Sequence, residues 1–481
     1  MSAKAHALLV PSPGMGHLIP LMELASSLVT HHNCQATLVV VVSSNATSPA
    51  QSQLIQSAKT QKLYDIVELP APSGHDSNAA GSVFTHLSAI MLDTRSSLRS
   101  AISAMELKPA AMIVDLFSTA VLTVAQEFHM LKYVTLVSCA WPLTLLLYAP
   151  ILDKQIDGEY LDRKELLEIP GCKPVRPEDV VKPMMNRKDR EYQSFLRIGK
   201  EITSMSDGIL INTWEDLEPN CLKAMREHPE WKKIVTVPVY TIGPMVRLAG
   251  QSGGGGPRSE LLDWLDKQPS ESVLYISFGS GGVLSAEQIT EMACGLELSK
   301  QRFIWVVQPP SKGGAGGNDI SEYLPEGFMA RTHEMGVVVT TWAPQSEILA
   351  HSSVGGFLSH CGWNSALESI LNGVPMIAWP LYAEQKMVAT LLVEELKVAI
   401  RPKVLPTKAV AGREEIEMLV RKIMEQKEGD AMRARAKELK ASGEEALSVG
   451  GSSFSMLSEL SRLCKINTEQ QCQKVDTEKL A

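Results

Sequence analysis

One continuous run of the chain, from Trp342 to Gln385, constrains the fold more than any other stretch. Two short β-rich segments, residues 354–359 and 375–379, flank an amphipathic segment at residues 363–371. This order predicts a strand, a turn, a helix and a second strand. A helix that begins just past a parallel strand directs unpaired N–H groups and the positive end of its dipole away from the sheet edge. The run therefore predicts an anion-binding site in an α/β domain.

Residues with hydrogen-bond donors crowd the predicted turn. His360 stands at the end of the predicted strand, where it can donate to a phosphate, and Asn364 and Ser365 add donors at the start of the helix. Ser280 lies in a glycine-rich turn that follows another predicted strand, at residues 273–278, and contributes a further hydroxyl. Together with the helix start, these groups can bind the charge of a diphosphate.

Other residues of the run suit a nucleoside and a sugar. Trp342 offers a flat face for a base, and Gln345 has an amide that can read a pyrimidine edge. Glu368, one helical turn in, can accept hydrogen bonds from a ribose diol, and Glu384-Gln385 suit sugar hydroxyls. A simpler alternative exists, because the Ser-x-x-Glu spacing that ends at Glu368 also matches a capping box.

From its opening tryptophan to its closing glutamine, the run resembles the signature box of plant secondary-product glycosyltransferases, which use UDP-sugars and have the GT-B fold. In that family a closing glutamine usually accompanies UDP-glucose, so the resemblance implies UDP-glucose as the donor. The resemblance implies the following donor-binding residues: Ser280, Trp342, Ala343, Gln345, His360, Gly362, Trp363, Asn364, Ser365, Glu368, Glu384 and Gln385.

Strand and helix patterns alternate along most of the chain. Apolar runs such as residues 37–42 are of the kind that a parallel sheet buries on both faces, and helical periodicity follows them. The 481 residues suit two domains, and the repeated βα units predict a doubly wound α/β fold. In the GT-B form that the resemblance implies, two Rossmann-like domains face a cleft.

The clearest linker is the glycine-rich stretch at residues 248–257. It divides the chain into an acceptor-binding domain at residues 1–247, a linker at 248–258, a UDP-sugar-binding domain at 259–451, and a C-terminal segment at 452–481. We expect that segment to be a helix packed on the first domain, followed by a polar tail that frays from Asn467 onward.

Four further segments carry structural predictions. Long helices are predicted at residues 81–105 and 119–128. Residues 150–200 are rich in charge and proline and predict loops and short helices. Residues 312–318 are rich in glycine and predict a mobile insert.

A histidine and an aspartate in the first predicted domain suit acid–base catalysis. His17 follows a Gly/Pro turn after the first strand, and Asp115 ends another strand of the same predicted sheet. Histidine has a pKa near working pH, and a neighbouring carboxylate can hold its tautomer and stabilise the imidazolium. Taken alone, each residue is more often an ordinary loop residue. The sequences at residues 13–17 and 114–117 resemble the catalytic positions of the family, which implies that His17 is the general base and Asp115 its partner.

The predicted reaction is a direct displacement with inversion through an oxocarbenium-like transition state, giving an O-β-glucoside. UDP-glucose is a co-substrate, and no metal or other cofactor is expected, because no DxD-like pair lies in a suitable turn.

The acceptor is expected to bind in the first domain, at Phe117, Trp141 and Leu146, with residues 83–84 and 184–185 as weaker candidates. Each of these except Phe117 is more often an ordinary core residue. Stretches such as PSPGMGHLIP and WPLYAEQKM most resemble the hydroquinone and monolignol glucosyltransferase subgroup. Indoxyl belongs to the same class of small planar acceptors, a larger flavonoid-like acceptor is an alternative, and the sequence does not choose among them.

Two other functional classes were weighed. A nicotinamide dehydrogenase is disfavoured because the first βα turn reads PSPGMGH rather than G-x-G-x-x-G, and Ser43-Ser44 stand where an acidic residue would bind ribose. A non-catalytic nucleotide-sugar binding protein would be expected to lack the pair formed by His17 and Asp115.

Composition bounds the partners and the compartment. The net charge of −8 disfavours nucleic-acid binding, and no run of about 20 apolar residues predicts a membrane span. The eight cysteines are scattered without a CxxC pair, which favours reduced thiols. No secretory signal is recognised, so a cytoplasmic monomer is expected.

Overall fold

The computed structural model describes residues 4–42, 49–72, 83–250, 259–310 and 319–480. The chain divides into two compact units, the first formed by Met1–Val246 with Glu445–Ala481 and the second by Arg247–Glu444. The second unit therefore ends a few residues before the predicted boundary at residue 451. Most of the predicted linker, at residues 251–258, and the predicted insert at 312–318 lie outside the described residues.

The first unit contains a seven-stranded sheet in which every neighbouring pair of described strands is parallel. Its strands are β1 His6–Val10, β2 Gln35–Val42, β3 Asp65–Pro70, β4 Ala111–Asp115, β5 Leu131–Leu136, β6 Gly208–Ile211 and β7 Val239–Thr241. The strand order is β3-β2-β1-β4-β5-β6-β7. All five residues of β1 and of β4 are buried, because helices cover both faces of the sheet.

Within the described residues of this unit, nine α-helices connect these strands. They are α1 Met15–His31, α2 Pro49–Gln61, α3 Val83–Asp93, α4 Arg95–Ala104, α5 Leu122–Glu127, α6 Ala140–Gln155, α7 Arg190–Met205, α8 Pro219–Glu227 and α9 Pro229–Ile234. The core between α1 and the sheet includes Leu21, Leu28 and Leu38.

The second unit contains a six-stranded parallel sheet with the order β10-β9-β8-β11-β12-β13. Its strands are β8 Val273–Ser277, β9 Arg302–Val306, β10 Gly336–Val339, β11 Val354–Ser359, β12 Met376–Ala378 and β13 Ala399–Ile400. Its helices are α10 Glu260–Leu265, α11 Ala286–Ser299, α12 Phe328–Thr332, α13 Gln345–Leu349, α14 Trp363–Leu371, α15 Gln385–Thr390, α16 Arg413–Glu425 and most of α17 Lys427–Leu447. Trp305 and Trp379 pack in the core with residues of α11 and α16.

The order of the strands reverses at one place in each sheet. In the first unit the reversal lies between the adjacent strands β1 and β4, and in the second between β8 and β11. In open parallel sheets, ligands bind outside the carboxyl ends of the strands at such a point. The two reversals therefore mark the places where a site is expected.

The C-terminal helix α18, Ser452–Leu480, packs on the first unit. The Ser453 hydroxyl donates to the carbonyl of Gly243 at 2.5 Å, and Leu457 and Leu460 join the core beside α1. The prediction of a frayed tail from Asn467 was wrong, because the helix continues to Leu480. The Asn467 amide donates to the carbonyl of Ala110 at 2.7 Å, and this polar anchoring has no hydrophobic signature in the sequence.

Three other segments also differ from their predictions. The single helix predicted at residues 81–105 is two helices, α3 and α4, with the hydroxyl of Thr94 donating to the carbonyl of Ile90 at the break. The helix predicted at residues 119–128 begins earlier, as the 3₁₀ helix Leu116–Val121 that precedes α5. Residues 150–200 contain the predicted short helices but also most of the 16-residue helix α7.

Candidate functional site

A histidine and an aspartate meet at the strand reversal of the first unit. Gly14, with φ of 121°, turns the chain from β1 into α1, so that His17 lies in the first helical turn. Asp115 is the last residue of β4, which pairs with β1 in parallel register. The imidazole Nδ1 of His17 lies 3.0 Å from Oδ2 of Asp115. The structure therefore brings together the two residues that the sequence placed at neighbouring strand ends.

Asp115 is fully buried and is held by donors from two segments. Ser12 donates to Oδ2 through its N–H at 2.8 Å and its hydroxyl at 2.5 Å. The N–H of Phe117 at 3.1 Å and the hydroxyl of Ser118 at 3.0 Å donate to Oδ1. Burial alone would raise the pKa of Asp115, but His17 and the donors of Ser12 hold this pKa below its ordinary value. Asp115 is therefore an anion at neutral pH.

The charge of Asp115 fixes the chemistry of His17. A carboxylate only accepts hydrogen bonds, so the neutral imidazole carries its proton on Nδ1 and presents Nε2 as a base. His17 keeps 19% of its side chain exposed, in contrast to its buried partner. This arrangement can take a proton from an acceptor hydroxyl and stabilise the resulting imidazolium.

Ser12 and Ser118 were missed by sequence reasoning. Ser12 stands 103 residues before Asp115 and carries no spacing signal that links it to the carboxylate. Only the pairing of β1 with β4 places the turn after β1 next to Asp115.

An aromatic cluster lies beside His17. The ring of Phe117 lies 5.3 Å from the imidazole of His17, centroid to centroid, and 5.0 Å from the ring of Phe84, which in turn lies 5.8 Å from Phe195. Phe117 is half-buried, so part of its ring can contact a ligand. Of the predicted acceptor residues, Phe117 and Phe84 are the ones that the structure places by the catalytic pair. The side chain of residue 83 lies outside the described part.

Trp141 and Leu146 are placed differently. The side chain of Trp141 is 2% exposed and that of Leu146 is 3% exposed. Both lie on α6, where a Cβ atom at Gly199 of α7 would approach the carbonyl of Leu146 to 2.6 Å. Such tight burial is typical of core residues rather than of the wall of an open pocket, and Met184, of the weaker candidate pair 184–185, is equally buried.

His360 occupies the strand reversal of the second unit, directly after β11. A Cβ atom at Gly362 would lie 2.5 Å from its Nε2, and one at Gly279 would lie 2.7 Å from the same atom. The ring therefore lies against two glycines that any larger residue would displace. Burial lowers the pKa of His360 to about 4, so the ring is neutral at pH 7. Its buried Nδ1 has no hydrogen-bond partner among the described residues.

The start of α14 forms the other side of this turn. Gly362 is the N-cap, and the helix begins at Trp363, which is buried. The capping-box alternative is wrong, because Ser365 lies inside the first turn and no side chain caps the helix. Asn364 and Ser365 thus place their side chains beside the backbone N–H groups of the first helical turn. Ser280 is exposed in the turn after β8, the strand next to β11.

Glu368 and Gln345 form a polar pair behind this turn. The amide nitrogen of Gln345 donates to the carboxyl group of Glu368 and, at 2.9 Å, to the hydroxyl of Ser365. Glu368 keeps a partly exposed edge, but burial of its carboxyl group raises the pKa to about 7, against the opposing effect of the Gln345 amide. Gln345 therefore lies beside the residue that is expected to bind the ribose.

Trp342 and Ala343 precede α13. The indole of Trp342 is 74% exposed, which is unusual for so large an apolar side chain and leaves a flat face for a base. Ala343 is buried, and its carbonyl accepts from the N–H of Gln345 at 2.8 Å.

Glu384 and Gln385 begin α15, where the chain emerges from β12. Gln385 is 3% exposed, and its side-chain oxygen accepts from the N–H groups of Leu381 at 2.9 Å and Tyr382 at 3.0 Å. These two bonds fix the orientation of the amide. Glu384 is half-buried.

Comparisons with known proteins point to one family. Residues 257–410 match the model described as UDP-glucoronosyl and UDP-glucosyl transferase. Anthocyanidin 3-O-glucosyltransferase 5 of Manihot esculenta is 51% identical over 470 residues, covering 96% of this chain and 95% of the relative. Hydroquinone glucosyltransferase of Rauvolfia serpentina is 43% identical over 475 residues, covering 97% of this chain and 98% of the relative.

A solved structure agrees with these matches. It is the complex of 3,4-dichloroaniline with a UDP-glucosyltransferase from Polygonum tinctorium capable of glucosylating indoxyl. The two chains are 37% identical, with a TM-score of 0.87 and coverage of 97% of this chain and 100% of that one. Within the described part of the chain, none of the helices is long and apolar enough to cross a membrane.

Proposed function

The chain belongs to the plant family 1 UDP-glycosyltransferases, and from this premise we propose that it transfers glucose from UDP-glucose to a hydroxyl of a small planar aromatic acceptor. The two predictions made from the signature run, membership of this family and the GT-B fold of two Rossmann-like units, are confirmed. The chain is thus a member of a family of UDP-glucosyltransferases.

The observation that carries the proposal is the 3.0 Å contact between Nδ1 of His17 and the buried carboxylate of Asp115. A binding protein has no need of a buried carboxylate that orients a partly exposed imidazole. In the proposal, Nε2 of His17 takes the proton of the acceptor hydroxyl as the oxygen attacks the anomeric carbon. Asp115 stabilises the imidazolium that forms, and UDP leaves from the opposite face, so the configuration inverts.

The second unit supplies the donor site in this proposal. The diphosphate accepts hydrogen bonds from the helix start at Gly362–Ser365 and from the neutral His360. The buried Nδ1 of His360 has no hydrogen-bond partner among the described residues, which marks a position that a ligand can fill. Ser280 adds a hydroxyl from the neighbouring turn. Protein groups therefore meet the charge of the leaving group, and the proposal assigns no metal.

The nucleoside and the sugar are assigned to the remaining residues. The exposed face of Trp342 stacks on the uracil, and the backbone of Ala343 lies beside it. The ribose hydroxyls donate to Glu368, with Gln345 beside it. The amide nitrogen of Gln385 donates to one glucose hydroxyl, and Glu384 accepts from another. This pairing favours UDP-glucose over UDP-glucuronate, because the carboxylate of glucuronate would face the carboxylate of Glu384.

The acceptor class follows from the ring cluster beside the base. Phe117 and Phe84 offer apolar, aromatic contact to a flat ring whose hydroxyl reaches His17. A phenol, a monolignol, hydroquinone or indoxyl has this shape. A larger flavonoid-like acceptor is the second candidate, because the relative that shares 51% identity is named as an anthocyanidin glucosyltransferase.

One set of assays tests donor and acceptor together. UDP-glucose, UDP-galactose and UDP-glucuronate are each offered with hydroquinone, coniferyl alcohol, indoxyl and an anthocyanidin, in the presence of EDTA. We expect UDP-glucose with a small phenolic acceptor to give the highest kcat/KM, and the product to be the β-glucoside. Equal or higher kcat/KM with UDP-galactose would refute the donor assignment, and preference for the anthocyanidin would favour the second candidate.

A further inference from the structure

Two thiols touch in the first unit, at a place that the proposed reaction does not use. The sulfur of Cys172 lies 3.8 Å from that of Cys221, and 49 residues separate them in the chain. Cys172 is half-buried, whereas Cys221 is buried on the first turn of α8. The same Cys172 sulfur lies 3.1 Å from the hydroxyl of Thr144 on α6.

The segment that carries Cys172 packs closely against the start of α8. Cys172 lies in a hairpin closed by the hydrogen bonds between Leu167 and Val175. At its tip Gly171 has φ of 91°, and a Cβ atom there would lie 3.1 Å from the Cα of Cys221 and 2.4 Å from the Cβ of Ala224. A side chain at Gly171 would collide with α8, so the glycine allows the hairpin to approach Cys221 this closely.

Hydrogen bonds also anchor the hairpin beside the two thiols, and they keep the thiols next to each other. The indole N–H of Trp231 donates to the carbonyl of Pro170 at 2.9 Å, and the N–H of Cys172 donates to the carbonyl of Ile169 at 3.1 Å. To form a bond of about 2.05 Å, the two sulfurs need only rotate toward each other across the contact that they already make.

We propose that Cys172 and Cys221 form an oxidation site that reacts with hydrogen peroxide and closes to a disulfide. The Cys172 sulfur attacks one peroxide oxygen, so that the O–O bond breaks, a sulfenic acid forms and one water leaves. The Cys221 sulfur then attacks the sulfenic sulfur and displaces its hydroxyl group as a second water. Two S–H bonds and one O–O bond break, one S–S bond and two O–H bonds form, and the thiol protons leave in the two waters. Two thiols are oxidised by two electrons in all, and one hydrogen peroxide is reduced.

The order of the two steps follows from exposure. Cys172 has surface that a hydroperoxide can reach, and Cys221 does not. The hydrogen bond with Cys172 and then burial raise the pKa of the Cys221 thiol well above its ordinary value, which disfavours a first attack from Cys221. Cys172 is thus the attacking residue and Cys221 the resolving one.

The disulfide would tie three elements of the first unit together. The Cys172 hairpin lies on α8 through Gly171 and Cys221 and touches α6 through Thr144. Closing a loop of 49 residues restricts the unfolded chain, and the bridge is expected to raise the midpoint of thermal unfolding by about 5 °C.

The test treats the full-length protein with hydrogen peroxide and maps its peptides before and after reduction. We expect the treated protein to lose two hydrogens in mass, to yield a linked peptide containing Cys172 and Cys221, and to unfold at a higher temperature until a reductant is added. Cys172→Ser and Cys221→Ser are expected to lose both the linked peptide and the thermal shift. The matched control Cys472→Ser, which removes an exposed thiol elsewhere, is expected to retain both.

Two results would overturn the proposal. One is a treated wild-type protein in which Cys172 carries added oxygen while Cys221 still reacts with an alkylating reagent after denaturation. The other is a linked peptide that joins Cys221 to Cys139, the buried cysteine before α6. Because both are read from the wild-type protein, they decide the question even where a serine variant fails to fold.

Discussion

The raised pKa of Glu368 makes donor affinity depend on pH. Burial of the carboxyl group favours its neutral form and brings its pKa to about 7. If ribose hydroxyls donate to this group, UDP-glucose binds the ionised form, and the fraction of ionised protein falls as the pH falls through 7. Affinity for UDP-glucose is therefore expected to weaken on the acid side, in the range from pH 8 to pH 6.

The size of the effect follows from the pKa. With a pKa of about 7, roughly nine-tenths of the carboxyl groups are ionised at pH 8 and roughly one-tenth at pH 6. The apparent Kd is the intrinsic value divided by this fraction, so it rises about tenfold between the two pH values, or about 1.4 kcal/mol. His360 does not contribute in this range, because its pKa is about 4.

Isothermal titration with UDP-glucose at several pH values measures this directly, and Glu368→Gln is the control because it keeps the shape and cannot ionise. We expect the variant to bind more weakly at pH 8 and to show a Kd that does not change with pH. A wild-type Kd that stays constant from pH 8 to pH 6, or a tenfold rise that persists in the variant, would refute the assignment of Glu368 to the donor.

Three further predictions concern the groups around the two turns. Asp115→Asn is expected to lower kcat by about 10³-fold without changing UDP affinity, because the imidazolium loses its charged partner; unchanged kinetics in steady-state assays would contradict this. Ser12→Ala is expected to lower kcat and to move the acid limb of the pH profile of kcat/KM to higher pH. The reason is that a carboxylate with fewer hydrogen-bond donors attracts the imidazolium more strongly. An acid limb at the wild-type pH would mean that Ser12 contributes to packing alone. Gly362→Ala is expected to raise KM for UDP-glucose about tenfold, because the added methyl group would displace His360. Gly412→Ala is the control and is expected to leave KM unchanged, because its Cβ atom would meet only a side-chain oxygen of Glu414 at 3.5 Å.

The sequence predicted those parts of the site whose residues are close together in the chain. Residues from His360 to Glu368 lie on one turn and one helix, so their order alone places them together. The approach of His17 to Asp115 also followed from the sequence, because His17 follows β1, Asp115 ends β4, and both are buried strands of one parallel sheet. Apolar runs of that kind are a strong signal of strands.

What the sequence did not predict depends on contacts between distant residues. Ser12 and Asp115 are 103 residues apart in sequence, and Ser12 donates to the carboxylate only because β1 pairs with β4. The amide of Gln345 faces Glu368 across 23 residues, and neither side chain shows this preference in its own neighbourhood. Local spacing suggested a capping box at Ser365 instead, but the helix begins two residues earlier, at Trp363.

Burial of the predicted acceptor residues illustrates the same limit. Trp141 and Phe117 are both aromatic, and composition does not distinguish a core ring from one beside a ligand. The structure separates them, since Trp141 lies enclosed at the start of α6 and Phe117 contacts His17. The 3₁₀ helix at residues 116–121, which Asp115 caps by accepting from the N–H of Phe117, is what brings Phe117 to the base.

The most direct test of the account is the transfer reaction itself with His17→Ala beside the wild-type protein. The assay follows UDP release and glucoside formation from UDP-glucose with a weakly acidic alcohol as acceptor, since a strongly acidic phenol can ionise without a base. The account predicts that wild-type UDP release depends on the acceptor and matches β-glucoside formed, and that the variant loses about 10²–10⁴-fold in kcat while its affinity for UDP stays near that of the wild type. A variant that keeps full turnover with this acceptor, or a wild-type protein that forms the α-glucoside, would contradict it.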